Sequence, residues 1–280
     1  LFIFSALLLP VTRGILQGRK KFFSLGFNLA IEGLTKVILA IALVFIGWKV
    51  YGAISSVLIA EMIAFIFLFY ALKDIRKSKR KKGDYKGIYS SSYYGLIAIT
   101  CVVLIYSLDV IIARKVFSAE IAGIYSFVSL IGKVIFFSSS AIGKAMLPIS
   151  SESYENREGT RSILKKSFLL VFLISAIALV FYLFFPKIII KLLSLGAEEY
   201  MIASNVLFIL GLAFSLLSFT YLILMYKIAT NKIKKSSYFL FIFVILEVAL
   251  LSIFNAILLQ FSLSMLIVNI VMFLYAVFVK

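Results

Sequence analysis

Long apolar runs alternating with short basic loops constrain this chain more than any other feature of its sequence. Residues 22–46, 53–72, 88–113, 122–147, 168–185, 201–226, 237–258 and 261–279 each come near the roughly 20 residues a helix needs to cross a hydrocarbon core. A lipid-embedded backbone must satisfy its own hydrogen bonds, so such runs are helical. The expected fold is all-α, a polytopic membrane helical bundle. Residues 1–11 form a shorter apolar run, which reads as the tail of a ninth span begun upstream in a longer parent. Composition agrees: 63% of residues are hydrophobic and 15% charged, against roughly half and a quarter in soluble domains.

The loops fix the orientation. Residues 73–86 read KDIRKSKRKKGDYK, eight Lys or Arg against Asp74 and Asp84. Blocks of this kind stay cytoplasmic under the positive-inside rule. With this block inside and the spans alternating, the cytoplasmic loops carry 20 basic residues and the outer loops 5. The net charge of +17 therefore reports topology, and no basic soluble domain exists to hold nucleic acid. One cysteine excludes an internal disulfide, and the absence of histidine excludes His-based metal sites and acid–base chemistry.

A short repeat suggests two lobes. RGILQGRKKFFSLGFNLAIE from Arg13 and KIATNKIKKSSYFLFIFVILE from Lys227 both place a basic residue, an amide and a Lys-Lys pair before a span holding a glutamate. The copies lie six spans apart and run in the same direction, as in parallel transporter repeats. Residues 1–72 are then the remaining part of a first lobe, 73–87 a cytoplasmic linker, and 88–280 a six-span second lobe. The block is a solvated connection, able to stay flexible while lobes move.

Charges inside spans are expensive and mark protein-facing or water-facing positions. Asn28, Glu32 and Lys36 fall at i, i+4 and i+8 on one helical face. Glu32 and Lys36 form either a packed, self-neutralised pair or part of a site. Ser126, Ser129, Lys133, Ser140 and Lys144 make a polar stripe on another span. Lys133 is paired either with an acid from another helix or with a ligand. Glu61 and Glu247 are further deep acids, Asp109 lies near the outer end of its span, and Asn205, Asn255 and Asn269 are candidates for helix-to-helix hydrogen bonds. Polar faces on several helices predict a water-filled cavity, and Lys36 and Lys133 would suit it to an anionic substrate.

Three segments carry a family resemblance. SLDVIIARKVFSAEIAGIY from Ser107, with Asp109, Phe117, Gly123 and Tyr125 in register, and AIGKAMLP from Ala141 resemble the seventh and eighth spans of Wzx-type polysaccharide flippases. RGILQG from Arg13 is similar to their fourth-to-fifth span region. These belong to the multidrug/oligosaccharidyl-lipid/polysaccharide exporter superfamily, which is MATE-like. The resemblance implies two six-helix lobes in the parent, of which this chain would lack the first three spans. It implies alternating access and transfer of a polyprenyl-diphosphate-linked oligosaccharide from the inner to the outer leaflet of the cell membrane. The partners implied are that lipid, the bilayer, and glycan polymerase or assembly proteins. Lys36 and Lys133 are the candidate diphosphate ligands, with Arg114 nearer the outer mouth. No bound cofactor is implied. Coupling to an H⁺ or Na⁺ gradient would use a buried carboxylate, for which Glu32, Glu61 and Glu247 are candidates.

Three other functions compete. A drug antiporter of the same superfamily would favour an acidic cavity. A non-transporting scaffold would tolerate neutral substitutes for Lys36 and Lys133. A membrane glycosyltransferase would need a sizeable loop domain, and every loop is short.

Overall fold

The computed structural model describes residues 2–72 and 86–279, and nearly all of them are helical. Residues 73–85, which hold most of the basic block and of the expected linker, lie outside the described residues. The chain divides into two compact units, residues 1–83 and 84–280.

The described residues of the first unit form three helices, α1 (Phe2–Gly18), α2 (Phe22–Leu43) and α3 (Lys49–Ala71). α2 and α3 form a hairpin through the turn Val44–Trp48, where Gly47 takes φ +97°. A Cβ at Gly52 would lie 3.0 Å from Leu43, so α3 begins hard against the end of α2. The core is small: Leu9 and Leu16 of α1 meet Ala64, Leu68 and Leu72 at the end of α3. Most other large apolar side chains here point outward, as lipid contact requires; Phe23 is 87% exposed.

The described residues of the second unit form six main helices: α4 (Lys86–Val116), α5 (Ala119–Glu155), α6 (Arg161–Phe184), α7 (Ser204–Ala229), α8 (Leu240–Ile253) and α9 (Leu258–Phe278). α7 is the central member, buried along most of its length. Glycine lets its neighbours approach closely, a common device where apolar burial cannot drive helix association. Gly132 of α5 faces Leu210 and Phe214 of α7, and Gly143 faces Tyr221. Gly211 of α7 lies under the Tyr182 ring of α6. Ser118 caps α5, its Oγ accepting from the Ile121 amide, and makes the sharp turn from α4.

The helix boundaries depart from the sequence reading in four places. Arg13 belongs to α1, which runs on to Gly18, so it is part of a helix and not of the basic loop. α4 begins at Lys86, inside the expected linker. Pro148 does not end α5, which continues to Glu155; a proline forfeits one ladder hydrogen bond, and a helix of 37 residues absorbs that loss. The span expected at 237–258 is a 14-residue helix, shorter than the bilayer core. It stops where Asn255 turns its amide onto the Ser252 carbonyl at 2.8 Å, so Asn255 caps its own helix end. Asn269 likewise donates to the Met265 carbonyl on its own helix, and Asn205 is exposed.

Candidate functional site

In the first unit, the α2 face of Asn28, Glu32 and Lys36 gains a fourth member from α1. The Arg13 guanidinium donates through Nε and Nη2 to Asn28 Oδ1, at 2.9 and 2.8 Å, and also pairs with Glu32. Lys36 pairs with the other oxygen of the same carboxylate. Asn28 then donates its amide to the Ala64 carbonyl of α3 at 2.8 Å. One buried asparagine thus ties three helices, and one carboxylate sits between two cations. The cations are not equally enclosed: the Lys36 side chain is 34% exposed and that of Arg13 19%. The sequence pattern revealed the α2 face but not Arg13. Its spacing of 19 residues from Glu32 carries no helical periodicity, and its neighbours resemble a loop.

In the second unit a buried cluster forms around Asp109 of α4. Lys133 Nζ donates to Asp109 Oδ1 at 2.9 Å. Ser129 and Tyr125 donate to Asp109 Oδ2 at 2.5 and 3.3 Å. Tyr125, Ser129 and Lys133 succeed one another at i, i+4 and i+8 on α5, so one face of that helix supplies three donors. Lys133 also lies over the Phe214 ring, 5.5 Å from its centroid. Phe117 and Tyr125 close on Phe261 of α9 edge-on, at 5.3 and 5.0 Å. Three of the four residues in the family pattern, Asp109, Phe117 and Tyr125, are therefore members or walls of this cluster.

Glu247 of α8 completes it. The residue is fully buried, and neither carboxylate oxygen has a hydrogen-bond donor. An isolated buried charge is costly, so a carboxyl without a donor is unusual in such a place.

The other expected residues are dispersed. Arg114 is exposed at the C-terminal end of α4, away from Asp109 on the buried face. Glu61 is half-buried on α3 with an interaction of its own. The serine stripe on α5 does not act as one surface. Ser126 and Ser140 bond the carbonyls of Ala122 and Phe137, Lys144 is exposed, and Ser129 and Lys133 serve Asp109. Among the described residues no group of acids and cysteine is disposed to hold a metal ion.

Residues 1–199 match the family model described as polysaccharide biosynthesis protein. The chain belongs to that family. Among curated proteins it is 28% identical, over 204 residues, to an uncharacterized membrane protein of Methanocaldococcus jannaschii, covering 67% of this chain and 48% of that one. The chain thus spans about half the length of the curated relative it matches. Among solved structures it resembles MATE in the straight conformation, with TM-score 0.70, 15% identity, and coverage of 95% of this chain and 64% of that one. It also resembles the outward-facing conformation of a multidrug resistance MATE family transporter of the MOP superfamily, with TM-score 0.71 and 16% identity, covering 95% of this chain and 63% of that one. The fold of this polysaccharide biosynthesis family member is MATE-like and all-α, with six stretches among the described residues long and apolar enough to cross a membrane. It is a multi-pass membrane protein.

Proposed function

We propose that the protein is a membrane flippase that moves a polyprenyl-diphosphate-linked oligosaccharide from the cytoplasmic to the outer leaflet of the cell membrane by alternating access. It does so without chemical change to its cargo, and its basic loops face the cytoplasm. The observation that carries this reading is Lys36: an ammonium two turns inside the C-terminal end of a membrane helix, bonded to a single carboxylate oxygen and one-third exposed. An ammonium is a workable point-charge ligand for phosphate. Family membership favours a glycan-related cargo, and the fold is one that solved transporters have.

The two candidate cations divide by geometry. Lys133 is sealed and neutralised by Asp109, so its role in this reading is to hold the second unit's polar core. Lys36 takes the diphosphate, and Arg114, exposed at the end of α4, is a separate candidate cation. For gradient coupling, Glu32 already has two cationic partners, whereas Glu247 has no donor. Glu247, buried and without a donor, is the carboxyl that exchanges H⁺ or Na⁺. Polymerase or assembly proteins would take the glycan on the far side.

The test is transfer of a fluorescent prenyl-diphosphate oligosaccharide across proteoliposomes. Lys36→Ala should cut the initial rate at least tenfold at equal protein incorporation. An unchanged rate would remove Lys36 from the substrate path.

A further inference from the structure

We infer that Glu32 is the resident counter-anion of the Lys36 site, occupying the position that a substrate phosphate takes, and that Arg13 retains Glu32 in the protein when the phosphate arrives. This rests on the reading of Lys36 as a phosphate ligand and adds two residues to it.

Glu32 is 7% exposed and shares its carboxylate between Lys36 and Arg13, each on a different oxygen. Two cations face one anion, so the network carries a surplus positive charge. The strength of attachment differs at its two ends. Arg13 is held at two acceptors, Glu32 and the Asn28 carbonyl, and Asn28 is itself anchored to α3. A guanidinium has several donors in a fixed fork, so it can satisfy both acceptors at once. Lys36 has a flexible stem and is the more exposed partner, with Glu32 as its hydrogen-bond acceptor. An incoming diphosphate reaches Lys36 first and competes for it with Glu32. Once Lys36 turns to the phosphate, Glu32 keeps the Arg13 bond and is not left as an unpaired buried charge, which would be strongly destabilising.

A carboxylate in this place lowers affinity and favours release. Without Glu32, Lys36 would meet the phosphate uncompensated and bind it more tightly. A flippase gains from the weaker contact, because binding shared equally by all states does not speed passage. Arg13 is a positioning residue in this scheme: it holds Glu32 and need not touch the substrate.

The experiment is titration of the purified chain in detergent with geranyl diphosphate, a short probe carrying the same head chemistry. Lys36→Ala should weaken binding about tenfold, and Glu32→Gln should tighten it about fivefold. If Lys36→Ala has no effect, the phosphate-ligand reading itself fails. If Lys36→Ala weakens binding but Glu32→Gln leaves it unchanged or weaker, that reading stands and the competitor role of Glu32 is overturned. A second measurement needs no altered glutamate. The infrared difference spectrum of the unmodified chain, labelled with carboxyl-¹³C glutamate, should gain a shifted carboxylate band on adding the probe. That band should be missing in Lys36→Ala; a spectrum without it in the unmodified chain would also overturn the inference.

Discussion

Lys133 Nζ lies 2.9 Å from Asp109 Oδ1, an ammonium and a carboxylate from two different helices, with their side chains 8% and 0% exposed. Ser129 and Tyr125 complete the shell of the acid. Breaking such a pair from one side leaves a buried charge without compensation, at a cost of about 3–5 kcal/mol. Asp109→Asn should therefore lower the unfolding midpoint of the detergent-solubilised protein sharply. The double variant Asp109→Leu with Lys133→Met should recover part of that loss, since no unpaired charge remains while the Ser129 and Tyr125 hydroxyls lose their acceptor.

Glu247 gives the opposite expectation for stability. Its oxygens receive no hydrogen bond, so Glu247→Gln removes an ionisable group and breaks none of the observed contacts. The unfolding midpoint should hold or rise. Transport driven by an imposed H⁺ or Na⁺ gradient should collapse to the rate of passive exchange, measured in proteoliposomes with and without the gradient. Full gradient-driven transport in Glu247→Gln would remove this carboxyl from the coupling path.

Much of the fold was legible because bilayer thickness imposes a length that apolar runs reveal directly. The two clusters were legible in halves. Periodicity on one helix identified Asn28–Glu32–Lys36 and the Ser129–Lys133 spacing, because residues four apart share a face. The partners across helices, Arg13 and Asp109, were not identified, since no local spacing connects α1 to α2 or α4 to α5. The break at Asn255 was hidden for another reason: a side-chain amide bonding its own backbone resembles, in sequence, an amide reaching for another helix.

Gly211 tests how tightly the second unit is packed. A Cβ there would lie 2.7 Å from Tyr182 Cδ2 and 3.1 Å from Leu179 Cδ2. The Tyr182 ring cannot easily withdraw, because its hydroxyl donates to the Ile131 carbonyl at 2.7 Å. Gly211→Ala should cost about 1–3 kcal/mol, the usual range for overpacking. Gly123 of α5 has nothing within 4 Å of the same added atom. Gly123→Ala should instead add about 0.5–1 kcal/mol through lower backbone entropy in the unfolded chain. Paired thermal melts of the two variants give opposite signs if the helix packing is as described.

Asn28 offers the corresponding test of the first unit. Its oxygen accepts twice from Arg13 and its nitrogen donates to Ala64, so its two ends face different helices. Asn28→Ala removes both links and leaves Arg13 with Glu32 alone. Hydrogen bonds to charged groups contribute about 1.5–3 kcal/mol. Asn28→Asp separates the two ends: the acid keeps a strong acceptor for Arg13 but has no donor for the Ala64 carbonyl. Amide hydrogen exchange should therefore quicken across α1, α2 and α3 in Asn28→Ala. In Asn28→Asp the quickening should be confined to α3, with protection of α1 retained. Equal loss of protection in all three helices for both variants would mean that the amide does not link them through two independent bonds.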